Sequence, residues 1–456
     1  MPIVTVAGAQ GTVVNLTYDT ASNAALAQKL AAAITAGVQA GTIIPATDTD
    51  GPPPPVPAGK SGEWIQNDDG TTILPAGYKA VVNSAQDAII FGSGATGESV
   101  LSGAGDLNFF ASKGSGTVAA GGGDNRIVLL NSDTGSWSIN TGNGDDTVLA
   151  GGTGNNTVNA GGGANFVQLS SGKDVVVSTG DDTVVAGGGQ ETITATGKHR
   201  DLIQGNSSKL FFVTTEGSAT IFGGTGSDTF FGGKGTDLVH GGTGGNNFLM
   251  AGTGHATLFG GGNGDQLFGM GKQAQALHAG AGNETLFGGA GADTFYGGSG
   301  STQIFGGFGA DTFVAGTGAA TITSGLTDNL FLFNNGQAGG TESISGFVSG
   351  RDVLDLQGYA TNEVSQALKS QHLTDGGVVI TLSDHTTITL AGIGSVTSSD
   401  FVTGSGAPSV GGGGHDNGNH GNNGHDNGNH GQHGSQDDWN AGDHGHTRNG
   451  ILGGHS

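Results

Sequence analysis

The chain has 456 residues, 95 of them glycine, with 38 acidic against 14 basic side chains and a net charge of −24. That balance argues against nucleic-acid and anionic-membrane partners, which need basic patches, and the glycine lacks the triplet period of collagen. Cysteine is absent, so a staple against unfolding has to be something other than a disulfide, and bound ions can serve.

The N-terminus, MPIVTVAGAQGTVV, shows no basic region followed by an apolar core, so no cleavable signal peptide is expected. No run reaches the roughly 18 apolar residues of a membrane helix. Residues 2–19 read as one or two strands. Residues 21–38 read as a helix, with Leu26, Leu30 and Ile34 four apart on one face and alanine over much of the rest. TDTDGPPPPVPAG (47–59) is a stiff polyproline linker. Residues 1–46 thus form a small α/β module, either separate or docked as a cap on the strands beyond the linker.

Over 60–140, strand-like runs (YKAVV, DAIIF, RIVLL, SWSI) alternate with Gly/Ser/Asp turns, the degenerate start of a β stack. The pattern sharpens at Thr141: TGNGDDTVLA, GGTGNNTVNA and GGGANFVQLS follow at a spacing of ten, and TGDDTVVAGGGQETI continues it. Residues 194–222 interrupt the pattern, as a bulge or as a join between two stacks. Nine-residue units resume at Gly223 (GGTGSDTFF, then GGKGTDLVH) and slip by one near Met250 and again near 270–279. Their sixth positions are Asp228, Asp237, Asn246, Ala256 and Asp265.

From Ala279 to Leu332 six nine-residue units run without insertion, the clearest being GGAGADTFY (288–296) and GGFGADTFV (306–314). The eighth position is always large and apolar: Leu286, Phe295, Ile304, Phe313, Ile322, Phe331. Nine residues suit one tight turn and one short strand, and a single unit cannot bury its apolar residue alone, so units must stack. Glycines let carbonyls converge on a cation. The acid at position six adds a hard oxygen, which suits Ca²⁺ over a transition metal.

This pattern resembles the calcium-binding nonapeptide repeat (GGxGxDxUx, the RTX repeat) of secreted bacterial proteins. The resemblance implies an all-β fold, a parallel β-roll over 223–332 with two units per turn, preceded by a degenerate solenoid over 60–222. Units eighteen residues apart then share an edge. One edge reads Asp293, Asp311, Asn329 and is expected to hold Ca²⁺. The other reads Glu284, Thr302, Ala320 and is expected to be weak or empty, a departure from the family's acid at nearly every unit. The candidate ligands are Asp293, Asp311, Asp228, Asp237, Asp265, Asp146 and Asp182. Asn246 with Asp265 is the best same-edge pair in 223–278.

Residues 333–403 read as a C-terminal β cap. ESISGFVSGRDVLDLQG (342–358) loosely matches the pattern that closes such rolls in the family, 362–372 suggest a short helix, and 375–402 suggest two antiparallel strands around Ser383–His385. An open solenoid end is a sticky edge, so a cap is required. The resemblance also implies type I secretion by an uncleaved C-terminal signal, placed in 375–403 or at Ile451 and Leu452. The tail 404–456 repeats GHDNGNHG, lacks apolar residues to bury and is expected to be disordered. Its eight histidines (His415, His420, His425, His430, His433, His444, His446, His455) are able to take Zn²⁺ or Ni²⁺ adventitiously.

No HExxH, GxSxG or cysteine nucleophile is present. His199, His240, His255, His278, His372 and His385 share no ligand spacing. The expectation is a non-enzymatic, secreted, calcium-stabilised structural, matrix or cell-surface protein, with self-assembly or a surface polysaccharide as partner. The alternatives are an exported hydrolase or toxin-like effector, and ice or carbohydrate binding through a threonine row at position seven (Thr285, Thr294, Thr312, Thr321, broken by Gln303).

Overall fold

The structure, a computed structural model, describes residues 1–130 and 134–404. Short strands joined by glycine turns wind into a parallel β-solenoid of about 17 turns. Each turn gives one strand to each of two ladders. The first ladder begins at Ile43–Thr47 and Ser61–Gln66, passes through Asn283–Gly289, Ser301–Gly307 and Ala319–Thr323, and reaches Thr341–Ser345 and Thr387–Ala391. The second runs from Gly70–Ile73 through Thr294–Tyr296, Thr312–Val314 and Leu330–Asn334 to Val353–Gln357 and Phe401–Thr403. Thr285 pairs with Gln303 and Gln303 with Thr321, so each turn of this part takes two nine-residue units.

Earlier turns are less regular than a spacing of ten. Thr147 pairs with Phe166, Phe166 with Thr183, and Thr183 with Leu202. Turn length wavers between 17 residues, from Phe166 to Thr183, and 21, from Arg126 to Thr147, and the variation falls in the turns. A one-residue slip within a strand would send its inward side chains to solvent. Residues 194–222 do not break the stack. Arg200–Asn206, Lys209–Thr214 and Ser218–Gly224 pair turn upon turn, with Ile203, Phe212 and Ile221 buried.

Alternation along each strand sends the eighth residue of every unit inward. Leu286, Ile304 and Ile322 from one ladder and Phe295, Phe313 and Phe331 from the other are all buried in one continuous core. The three phenylalanines stack at centroid separations of 5.1 and 4.9 Å, the rise of one turn. The ninth residue points out. Phe222, His240, Phe259, His278 and Tyr296 form a second, outer column, closing from 5.2 Å at one end to 4.0 Å at the other. Burial, with His240 nearby, pushes His278 down to about 4.

At the N-terminus an antiparallel hairpin (Ile3–Ala7 with Val13–Thr17) precedes helix α1 (Ala21–Gln39), whose Thr20 cap accepts from the Asn23 N–H. Ala24, Ala27, Ala31 and Ile34 form its buried stripe, while Leu26 and Leu30 are only partly covered. Small residues let the helix lie close. With Val4, Val6, Leu16 and Tyr18 they share a core with Ile65, Ala80, Val82, Leu101 and Ala119, the outward side chains of the first ladder. At the other end, Gly377–Thr381 pairs antiparallel with Thr387–Ala391, and α2 (Glu363–Ser370) precedes this hairpin. Together they cover the final ladder edge.

No helix among the described residues is long and apolar enough to cross a membrane. Residues 405–456, with all eight tail histidines, lie outside the described residues, so the disorder, tail-metal and Ile451–Leu452 expectations do too.

Candidate metal sites

Positions six and eight of a unit share strand parity, so both side chains turn inward. Position eight meets the core. Position six sits at the mouth of the strand, inside the glycine turn, where little water reaches it. Asp146, Asp182, Asp228, Asp237, Asp265, Asp293 and Asp311 are all buried.

These side chains form two columns, one per ladder, linked by a recurring hydrogen bond. Each oxygen accepts from the backbone N–H at the same position one turn earlier. In the second ladder Asp293 Oδ1 accepts from Gln275 N–H at 2.8 Å, Asp311 Oδ1 from Asp293 N–H at 2.9 Å, Asn329 Oδ1 from Asp311 N–H at 3.1 Å, and Asp352 Oδ1 from Asn329 N–H at 2.8 Å. Asp146, Asn165 and Asp182 repeat this further up the column. In the first ladder the series runs Asn156, Asp174, then Asp228, Asn247, Asp265. The sequence frame places Asn246 in this rank. The structure instead puts Asn247 there and leaves Asn246 exposed in the turn at φ 61°, because the one-residue slip falls before Asn246 rather than after it.

The second carboxylate oxygen separates the acids. Oδ2 of Asp146, Asp182, Asp228, Asp293 and Asp311 is buried and finds no hydrogen-bond partner. Those of Asp228, Asp293 and Asp311 sit in cradles that glycine leaves open. A Cβ on Gly288 would lie 2.9 Å from Asp293 Oδ2 and 2.0 Å from the Gly306 carbonyl of the next turn. A Cβ on Gly223 would lie 2.6 Å from Asp228 Oδ2 and 2.5 Å from the Gly241 carbonyl. Burial pushes Asp293 and Asp228 up to about 6 and Asp146 up to about 7. Burial, with the neighbouring Asp293 charge, pushes Asp311 up to about 7. A carboxylate oxygen facing a carbonyl in a desolvated pocket is short of a positive partner, which a Ca²⁺ supplies. Asp265 and Asp237 differ. Asp265 Oδ2 accepts from the Gly261 and Gly262 N–H groups at 2.9 and 3.1 Å, and Asp237 accepts from Gly233 as well as Ala219. No three His, Cys, Asp or Glu side chains converge on one point among the described residues, so a cation here relies on backbone carbonyls.

Amides in the same ranks solve the same problem without an ion. Asn247 Nδ2 donates to the Gly244 and Gly241 carbonyls at 2.8 and 3.1 Å, Asn329 Nδ2 to Thr327 at 2.8 Å, and Gln275 Nε2 to Gly254 at 2.8 Å. Their N–H groups point at the carbonyls that surround the lone Oδ2 elsewhere.

Three further acids lie in these columns. Asp174 follows SSGK, without paired glycines, and Glu191 follows the run Gly187–Gly189; Asp174 Oδ2 and Glu191 Oε2 are buried and unpartnered. Glu284, on the edge expected to be weak, accepts from Gly282 N–H at 2.8 Å through Oε1 and leaves Oε2 unpartnered. Replacement Glu284→Ala is accordingly expected to remove calcium-dependent stability of about 1 to 3 kcal/mol, the usual worth of one ligand-linked site at moderate saturation. Melting temperatures with and without calcium measure it. An unchanged calcium increment would return Glu284 to the weak edge.

The family model of the RTX calcium-binding nonapeptide repeat (4 copies) matches residues 141–176, 175–197, 213–244, 242–271, 278–313 and 303–322. These spans contain every acid described in the two columns except Asp352. No curated protein matches the chain.

Proposed function

Because the chain carries RTX calcium-binding nonapeptide repeats, we propose that it is a secreted, calcium-stabilised structural protein of the extracellular matrix or cell surface. The observation that carries this reading is the row of buried, unpartnered carboxylate oxygens, with those of Asp228 and Asp293 facing glycine carbonyls. Calcium outside cells is abundant enough to fill sites of millimolar affinity, and a chain built this way becomes rigid where that ion is plentiful. Asp293, Asp311, Asp228, Asp146 and Asp182 are the ligands best placed. Asp237 and Asp265 contribute less, because their second oxygens already have N–H partners.

Catalysis has no comparable support. The buried acids are distributed at one per turn along a column, whereas acid–base chemistry needs its groups converged on one substrate. Ice or carbohydrate binding through a threonine row is also weakened. Thr285, Gln303 and Thr321 lie on one ladder and Thr294 and Thr312 on the other, where Ala276 and Leu330 flank them. No flat rank of threonines results.

The test is to raise antibodies against the chain and fractionate cells that make it. The protein is expected in medium, envelope or matrix, and equilibrium dialysis of the purified chain is expected to find several bound Ca²⁺. An exclusively intracellular pool, or no calcium bound at millimolar levels, would overturn the reading.

A further inference from the structure

Outside the repeats, one acid reaches the same kind of cradle. Asp19 precedes α1 and reaches down onto two glycine turns of the roll. Its Oδ2 accepts from the Asn143 N–H, and its Oδ1 is buried without a hydrogen-bond partner. A Cβ on Gly142 would lie 2.7 Å from Asp19 Oδ1 and 2.2 Å from the Gly121 carbonyl, which caps the separation of the two oxygens at 4.9 Å. The same sum holds for Asp293 Oδ2 and the Gly306 carbonyl. Two oxygens bound to one Ca²⁺ at roughly 2.3–2.6 Å lie up to about 5 Å apart.

A second side chain meets the same stretch of turn. Asn23 is 3% exposed, its Nδ2 donates to the Ala120 carbonyl, and its Oδ1 has no hydrogen-bond partner. Tyr18 beside it donates to the Ala119 carbonyl at 3.3 Å. The Gly121 carbonyl takes one long bond, 3.3 Å, from Asn125 Nδ2 and keeps a second lone pair. The first turn of α1 carries no acid, so Asp19 is the one negative charge at the start of that helix. The helix dipole favours the carboxylate there and disfavours a cation. A bound ion and a dipole-paired carboxylate therefore predict different calcium dependence.

We propose that Asp19, the Gly121 carbonyl and Asn23 Oδ1 hold a calcium ion that latches the N-terminal hairpin and helix onto the roll. The repeat model begins at residue 141 and reaches none of these three groups. The inference rests on the reading that a lone carboxylate oxygen facing a glycine carbonyl takes calcium. It adds a ligand from outside the repeat and ties the placement of one structural unit to the ion.

The test uses the full chain and the variant Asp19→Asn, which keeps an acceptor for the Asn143 N–H and removes the charge. Native mass spectrometry counts bound Ca²⁺, and hydrogen exchange follows residues 21–39 and 279–332 through a calcium titration. In the parent chain, protection of 21–39 is expected to rise about elevenfold at calcium ten times the dissociation constant. In Asp19→Asn one ion is lost and protection of 21–39 no longer follows calcium, while 279–332 responds as before. Asn23→Ala keeps the carboxylate and is expected to shift the helix response to roughly tenfold higher calcium. An unchanged ion count in Asp19→Asn, or parent helix protection indifferent to calcium once the roll has formed, would overturn the latch. If 279–332 ignores calcium while 21–39 follows it, the latch stands and the wider reading of the repeats falls.

Discussion

Removing calcium from the full chain near neutral pH is expected to abolish most of its β circular dichroism, and millimolar calcium is expected to restore it. Burial of eight unpartnered carboxylate oxygens in the two columns is the reason: without a cation each is a desolvated charge, and each opposes folding. Asparagine at the same positions distinguishes this cause from general salt effects. The pair Asp293→Asn with Asp311→Asn reproduces the chemistry of Asn247 and Asn329, whose amides donate to the turn carbonyls. This variant is expected to be more stable than the parent in chelator and to gain less from calcium, by about 2.7 kcal/mol per lost site at a hundredfold saturation. Alanine at both positions is different. It leaves the Gln275 and Asp293 N–H groups without their acceptors, at a cost of about 1–3 kcal/mol each, and raises the calcium needed for folding. Urea melts at fixed calcium measure both. If the asparagine pair and the parent require the same calcium, these carboxylates do not hold the ion.

In chelator, stability is expected to fall as pH rises. Burial holds Asp293 and Asp228 at about 6 and Asp146 and Asp311 at about 7, above the roughly 3.9 of an unfolded aspartate. The folded chain therefore binds more protons than the unfolded chain across that interval. Its stability is greatest below about pH 4 and is lost as pH climbs through 6 to 7. With each of these groups contributing about 1 kcal/mol, the melting temperature drops by on the order of 10 °C. Calcium competes with those protons, so its affinity rises over the same interval and its benefit is largest where the ion-free chain is weakest. Thermal melts at about pH 5 and about pH 8, with calcium and with chelator, check both slopes. A melting temperature that climbs with pH in chelator would contradict the account.

The stacking was legible because two independent periods agree in the sequence. Glycine marks each turn, and a large apolar residue follows at position eight, so the pattern alone assigns Leu286 to Phe331 to the core. The edge partners Asp293, Asp311 and Asn329 followed from the same count. Legibility ended where a turn changes length. The slip at Asn246–Asn247 moves the rank by one residue, and two adjacent asparagines offer no local sign of which is buried. The state of Oδ2 was not legible either. Asp265 and Asp293 occupy equivalent positions, yet only the former finds N–H donors in its own turn. That depends on how the glycines twist. Asp19 was invisible for another reason, since its partners lie more than a hundred residues away and come together only through packing of α1.

The column of hydrogen bonds also gives the rod a direction of growth. The aspartates and asparagines of the columns accept from the turn before them, whereas Glu191 and Glu284 accept within their own turn, and the cradles of Asp293 and Asp228 borrow a carbonyl from the turn after. A turn is thus finished only by its C-terminal neighbour. Order is therefore expected to spread from the hairpin and helix that seal residues 341–403 back towards the N-terminus, like tiles that must be laid from the eaves upward. A chain delivered C-terminus first presents its seed before the turns that depend on it.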